Sequence, residues 1–253
     1  MIATSMLAAC GAPAATQAPQ QPAQSEKIYI PVISKGFQHQ FWQAVEKGAY
    51  DAGLALGAEI TYEGPASESE VDKQLTMLQT ALDKNPAAIC FAALDSKAAT
   101  PYLEQAKEKG IPVVGFDSGV DSDIPVTTVT TDNIAAAGEA ADQMAKLIGD
   151  AGKVAIIVHD QTSKTGQDRR DGFKQRIEEK HPNIEIVAIE YGAGDPVKSA
   201  DFAKAIITAN PDLKGFFGAN EGSIKGVLNA LKETDNEGKI VAIGYDSGEQ
   251  QIN

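Results

Sequence analysis

From Lys27 onward the chain alternates short apolar runs with longer stretches whose apolar residues recur at helical spacing. Ile28-Tyr29-Ile30-Pro31-Val32-Ile33 reads as a first strand, and His39 to Leu56 as a helix burying Phe41, Val45, Ala49, Ala52 and Leu56. Strand Glu59 to Tyr62 leads to a helix carrying Val71, Leu75, Leu78 and Leu82, then come strand Ile89 to Ala92 and helix Ala98 to Lys109. Strands Pro112 to Phe116 and Val126 to Val129 complete a first half. The second half repeats the rhythm. Helix Ile134 to Ile148, capped by Asp132 or Asn133, precedes strand Val154 to Val158, helix Gly166 to Lys180 and strand Glu185 to Glu190. Helix Val197 to Ala209, strand Gly215 to Gly218, helix Ser223 to Glu233 and strand Lys239 to Gly244 follow.

Strands this short and nearly all apolar are of the kind buried on both faces. Their alternation with helices predicts an α/β fold built on parallel sheets. Each half holds four or five strand–helix units, which predicts two doubly wound domains, residues 27–131 and 132–253. Thr130-Thr131-Asp132-Asn133 is the expected first crossing between them.

The chain before Lys27 is different. Gly11 to Ser25 is an Ala/Pro/Gln/Thr run without charge or periodicity, so residues 11–26 read as a flexible linker. Leu7-Ala8-Ala9-Cys10 has the pattern of a bacterial lipoprotein processing site. It implies that residues 1–10 are a signal remnant and that Cys10 carries lipid outside the cytoplasmic membrane. No Lys or Arg precedes Cys10, and the apolar run is shorter than the 7–15 residues typical of a secretory signal, so the true start is expected upstream.

With 253 residues and 43% hydrophobic content the chain is long enough for two domains of ordinary size. No run approaches the roughly 20 apolar residues that span a bilayer. A formal charge of −13 argues against nucleic acid, whose phosphates demand a basic surface. Cys90, the second of two cysteines, lies inside an apolar run and is expected to be a small buried hydrophobe, leaving no disulfide. Motifs for nucleotide binding, nucleophilic hydrolysis or zinc are absent, and the three His are scattered. No catalytic group, metal or cofactor is expected.

In open α/β sheets, ligands sit beyond the carboxyl ends of the strands. Here those ends read Lys35-Gly36-Phe37-Gln38-His39-Gln40-Phe41-Trp42, Leu94-Asp95-Ser96, Asp117-Ser118-Gly119, Asp160 to Arg170, Asn220-Glu221 and Asp246-Ser247. A carboxylate at a buried strand end, such as Asp117 or Asp246, can accept two hydroxyl hydrogen bonds. Phe41 and Trp42 offer apolar faces for a ring.

These stretches resemble the bacterial extracytoplasmic solute-binding proteins of the ribose-binding type, which feed sugar ABC transporters. The resemblance is carried by Phe41 to Ala49, Gly110 to Asp117, Thr131 to Asn133, Arg169 to Phe173, Phe217 to Glu221 and Ile243 to Asp246. It implies two lobes joined by a three-segment hinge, a monosaccharide held between them and a permease as partner. Membrane contact would be through the lipid anchor only. By position, Phe41 and Trp42 resemble the family's stacking pair, Asp117 and Asp246 its hydroxyl-binding carboxylates, Asn220 its cleft Asn and Arg169 its second cleft Arg. Ser118 and Gln167 stand where the family has Arg. Lys35, Asp117-Ser118 and the Gln167-Asp168 pair instead resemble the autoinducer-binding branch, which takes a furanosyl polyol. A ligand-sensing domain shares the same fold. The expected ligand set is Lys35, Phe37, His39, Phe41, Trp42, Asp117, Ser118, Gln167, Arg169, Asn220 and Asp246. The family crosses its hinge twice more after the last Asp, whereas this sequence stops at Asn253, so the first lobe is expected to lack its last helix.

Overall fold

The computed structural model describes residues 28–249; Cys10 and the 11–26 linker lie outside them. The first half runs β1 (Tyr29–Ile33), α1 (Gln40–Leu56), β2 (Glu59–Glu63), α2 (Val71–Asp83), β3 (Ile89–Phe91), α3 (Thr100–Glu108), β4 (Val113–Phe116) and β5 (Thr127–Val129). Its strands form one parallel sheet in the order β2-β1-β3-β4-β5. The second half runs α4 (Asn133–Ile148), β6 (Gly152–Val158), α5 (Lys164–Lys180), β7 (Ile184–Tyr191), α6 (Pro196–Ala209), β8 (Leu213–Gly218), α7 (Glu221–Glu233) and β9 (Val241–Gly244). Its parallel sheet has the order β7-β6-β8-β9, the same plan as β2-β1-β3-β4.

The second sheet is apolar on both faces because both faces are covered. Phe216 and Phe217, adjacent on β8, point to opposite sides. Phe217 stacks on Phe173 of α5 with centroids 4.5 Å apart, in a core shared with Met144 and Ile156. Phe216 packs with Ala155, Val227 and Leu231. In the first sheet the main core lies on one side, where Ile33, Phe91 and Val113 meet Leu78, Leu82 and Leu103 of α2 and α3.

The other side of the first sheet departs from expectation. Cys90 is only partly buried rather than enclosed, although burial still pushes its thiol pKa up. Helix α1 buries Trp42 and Gly53, while Phe41, Val45 and Ala49 are half-buried. Ala52 and Leu56, expected inside, are exposed, with Leu54 and Leu56 more than four-fifths open. At Gly53 the helix backbone comes close to the sheet, and a Cβ there would lie 2.4 Å from Ile60 Cγ1. Leu56 shares its helical face with Val45 and Ala49, so its exposure reflects where the helix end lies along the sheet rather than which face is turned inward.

Four helices of the second half begin at a side-chain cap. Asp132, Ser163, Asp195 and Asn220 accept from the backbone N–H groups of Ala135, Gly166, Lys198 and Ser223. Helix α1 has neither a side-chain cap from His39 nor an acidic residue in its first turn. Its cap comes from elsewhere.

Candidate ligand-binding site

The carboxyl ends of the two sheets face each other across a cleft. Ten side chains surround about 280 Å³ of space there, part of it open to solvent: Lys35, His39, Phe41, Trp42, Glu68, Asp117, His159, Arg169, Asn220 and Asp246.

Asp117 follows β4 and Asp246 follows β9, at matching places in the two sheets. Both have left-handed backbones, with φ of 54° and 69°, a region that Asp and Asn enter more readily than other side chains. Burial raises the pKa of each. For Asp117 the Lys35 ammonium, 3.8 Å away, and Arg169 pull it back down. For Asp246 the opposing groups are Arg169 and the Glu221 backbone N–H, which donates to Asp246 Oδ2 at 2.8 Å. One oxygen of Asp246 is therefore already engaged by the start of α7.

Arg169 is buried, donates to Asn133 Oδ1 and the Ala219 carbonyl at 2.8 Å each, and lies 4.0 Å over the Tyr245 ring. Lys35 reaches across the cleft to donate to Thr165 Oγ1 at 3.1 Å. Thr165 is in turn 3.2 Å from His159 Nε2. Burial, with Lys35 and Arg169 nearby, drives the His159 pKa well below its ordinary value, so the ring is neutral. Its Nδ1, like Nε2 of His39, is buried without a hydrogen-bond partner.

Eight of the expected residues line this space: Lys35, His39, Phe41, Trp42, Asp117, Arg169, Asn220 and Asp246. Three do not. Phe37 is exposed and packs edge-on against Tyr62 at 5.6 Å. Ser118 is fully buried beside Asp117, with its Oγ 3.5 Å from the Thr165 N–H. Gln167 donates to the Gln161 and Thr162 carbonyls. It sits two residues from Arg169, about 200° around a helix, and so faces away.

Two residues were missed. Glu68, 4% exposed, accepts from Trp42 Nε1 at 2.7 Å and Asn220 Nδ2 at 3.2 Å, and His39 Nε2 lies 3.9 Å away. Its Ser/Glu-rich loop reads as a solvated turn. His159 directly follows β6, and that position was the available signal.

Further bonds hold the halves together. Ser96 N–H donates to the Thr162 carbonyl at 3.0 Å, and Thr162 Oγ1 donates to that of Leu94 at 3.2 Å. The Glu221 carboxylate accepts from the Gln40 and Phe41 backbone N–H groups at 3.2 Å each and pairs with Lys225. Burial opposes ionisation of Glu221, but Lys225 and those two N–H groups outweigh it and hold its pKa below the ordinary value.

Two parallel sheets opening onto one polar, aromatic-walled cleft define a two-lobed binding protein. Residues 30–253 match the model of the periplasmic binding protein domain, and the chain belongs to that family. It is 29% identical over 223 residues to the D-allose-binding periplasmic protein of Escherichia coli K12, covering 85% of this chain and 71% of that one. A solved carbohydrate transporter solute-binding protein from Agrobacterium radiobacter, in complex with D-arabinose, superposes with a TM-score of 0.85 at 32% identity. That match covers 90% of this chain and 79% of that one. An ABC transporter solute-binding protein from Agrobacterium vitis with bound D-fucose gives a TM-score of 0.83 at 35% identity, covering 87% and 77%.

Proposed function

We propose that this chain is the extracytoplasmic substrate-binding component of a sugar ABC transporter and holds one monosaccharide between its lobes, without turnover. The observation that carries the reading is the pairing of Asp117 from one sheet with Asp246 from the other in a small cavity walled by Phe41 and Trp42. A ring with hydroxyls on its edge and C–H groups on its face matches that combination. Relatives bound to D-arabinose and D-fucose support it.

The binding set is Lys35, His39, Phe41, Trp42, Asp117, Arg169, Asn220 and Asp246, to which Glu68 and His159 are now added. The lobes are residues 27–131 and 132–253, with Thr130 to Asn133 taking part of the hinge motion that closes them. Cys10 is the lipid attachment point, and a permease receives the closed form. A furanosyl polyol is the second reading, favoured by Lys35 beside Asp117 in the cavity.

The test is a thermal-shift screen over pentoses, hexoses, inositols and furanosyl diols, followed by titration calorimetry on the strongest hit. One sugar should raise the melting temperature, bind at a single site and be recovered unchanged. A protein that binds none of them, or consumes the one it binds, refutes the reading.

A further inference from the structure

Helix α1 begins without a cap of its own, and its first two N–H groups are satisfied from the other half of the molecule. The acceptor, Glu221, is the first residue of α7, so one carboxylate stands at the amino ends of two helices. It is 1% exposed, with Lys225 one turn along α7 as its counter-ion. Both helix dipoles favour a negative charge there. The same residue's backbone N–H is held by Asp246 of the cavity. The two N–H donors also sit beside His39 and Trp42 in the chain, and Phe41, one of them, lines the cavity itself.

We propose that Glu221 is a positioning residue that latches the lobes closed, tying the aromatic wall on α1 to Asp246 through protein–protein bonds alone. When the cleft opens, Gln40 and Phe41 must turn to water and Glu221 loses two of its three partners. The latch therefore biases the ligand-free protein toward the closed form, and ligand binds with less reorganisation to complete. This rests on the binding-protein reading only for its effect on affinity; the bias itself exists without ligand.

Gln40→Pro removes one half of the latch, with Gln40→Ala as its control, because the Gln40 side chain separately accepts from the Glu249 N–H at 3.1 Å. Gln40 is the first helical position, where Pro is tolerated, and His39 has the extended backbone (φ −103°, ψ 148°) that a following Pro requires. The substitution deletes the Gln40 N–H and one half of the latch while leaving the helix start intact. Glu221→Ala deletes both halves. Small-angle scattering on the full chain is the measurement. Ligand-free wild type should show a smaller radius of gyration than either variant, with Gln40→Pro melting within a few degrees of wild type. If a sugar binds, Gln40→Pro should weaken it roughly tenfold, the loss of one bond to a charged acceptor, and all three proteins should reach the same radius at saturation. Equal ligand-free radii for wild type and Gln40→Pro overturn the proposal even if Glu221→Ala fails to fold. A radius that differs without ligand, in a protein no sugar closes, supports the latch and refutes sugar binding.

Discussion

Asp117→Asn separates a ligand-gripping carboxylate from one that only terminates a strand. Asn occupies the left-handed backbone at φ 54° about as readily as Asp, so the change costs the backbone little. What it removes is charge. Burial raises the folded-state pKa of Asp117 above that of the unfolded chain, so the folded state binds the proton more tightly. At neutral pH the ionised carboxylate is therefore a net cost to folding, relieved only as pH falls through the folded pKa. Asn removes that net cost, in which the opposing Lys35 attraction at 3.8 Å is already counted. The ligand-free melting temperature should hold or rise. Bound hydroxyls, in contrast, lose a charged acceptor, worth about 1.5–3 kcal/mol per bond, against about 1.4 kcal/mol per tenfold in affinity. Titration calorimetry should thus show at least tenfold weaker binding. If affinity is kept while ligand-free stability falls by about 1 kcal/mol, as loss of a structural cap would give, the reasoning fails.

Glu68→Leu strands the Trp42 indole N–H and an Asn220 amide N–H, at about 1–3 kcal/mol each; chemical denaturation should show the loss, with Glu68→Gln milder. Gly222→Ala puts a Cβ 1.9 Å from the Gly194 carbonyl and 2.8 Å from His39 Cε1, and overpacking of that kind costs about 1–3 kcal/mol, read as a lower melting temperature and weaker binding together. His181 is held by Asp142 at 3.0 Å and Asp150 at 2.6 Å, and the bond to Asp142, foremost, raises its pKa against the opposing effect of burial, with Asp150 adding to the rise. Its contribution is full below about pH 6.5 and is lost as pH rises through the raised folded value. His181→Gln should flatten that slope, by at most about 1 kcal/mol for groups this exposed.

Among the described residues periodicity found every strand and helix, the buried parallel strands through apolar runs such as Val154 to Val158. It was a poor guide to how far along α1 burial extends: Leu56 shares a face with Val45 and Ala49 yet is exposed, because spacing fixes a face but not where the sheet beneath it ends. Strand-end logic located most of the cavity for a similar reason: Lys35, Asp117, Asn220 and Asp246 sit where the topology must bring loops together. It failed for Gln167, where helical phase overrides proximity in sequence. It also failed for Glu68, whose burial depends on Trp42 and Asn220 arriving from two other loops.

The matching strand orders have a consequence for how this molecule can change. Each half carries its own core, and each offers the cavity an aspartate from the same place in the same plan. Alterations at one strand end can therefore break a bond across the cleft while leaving the other half's core in place. Preference for a new ligand can be acquired by one half at a time, with the unaltered half retaining a foothold on whatever the two ligands share.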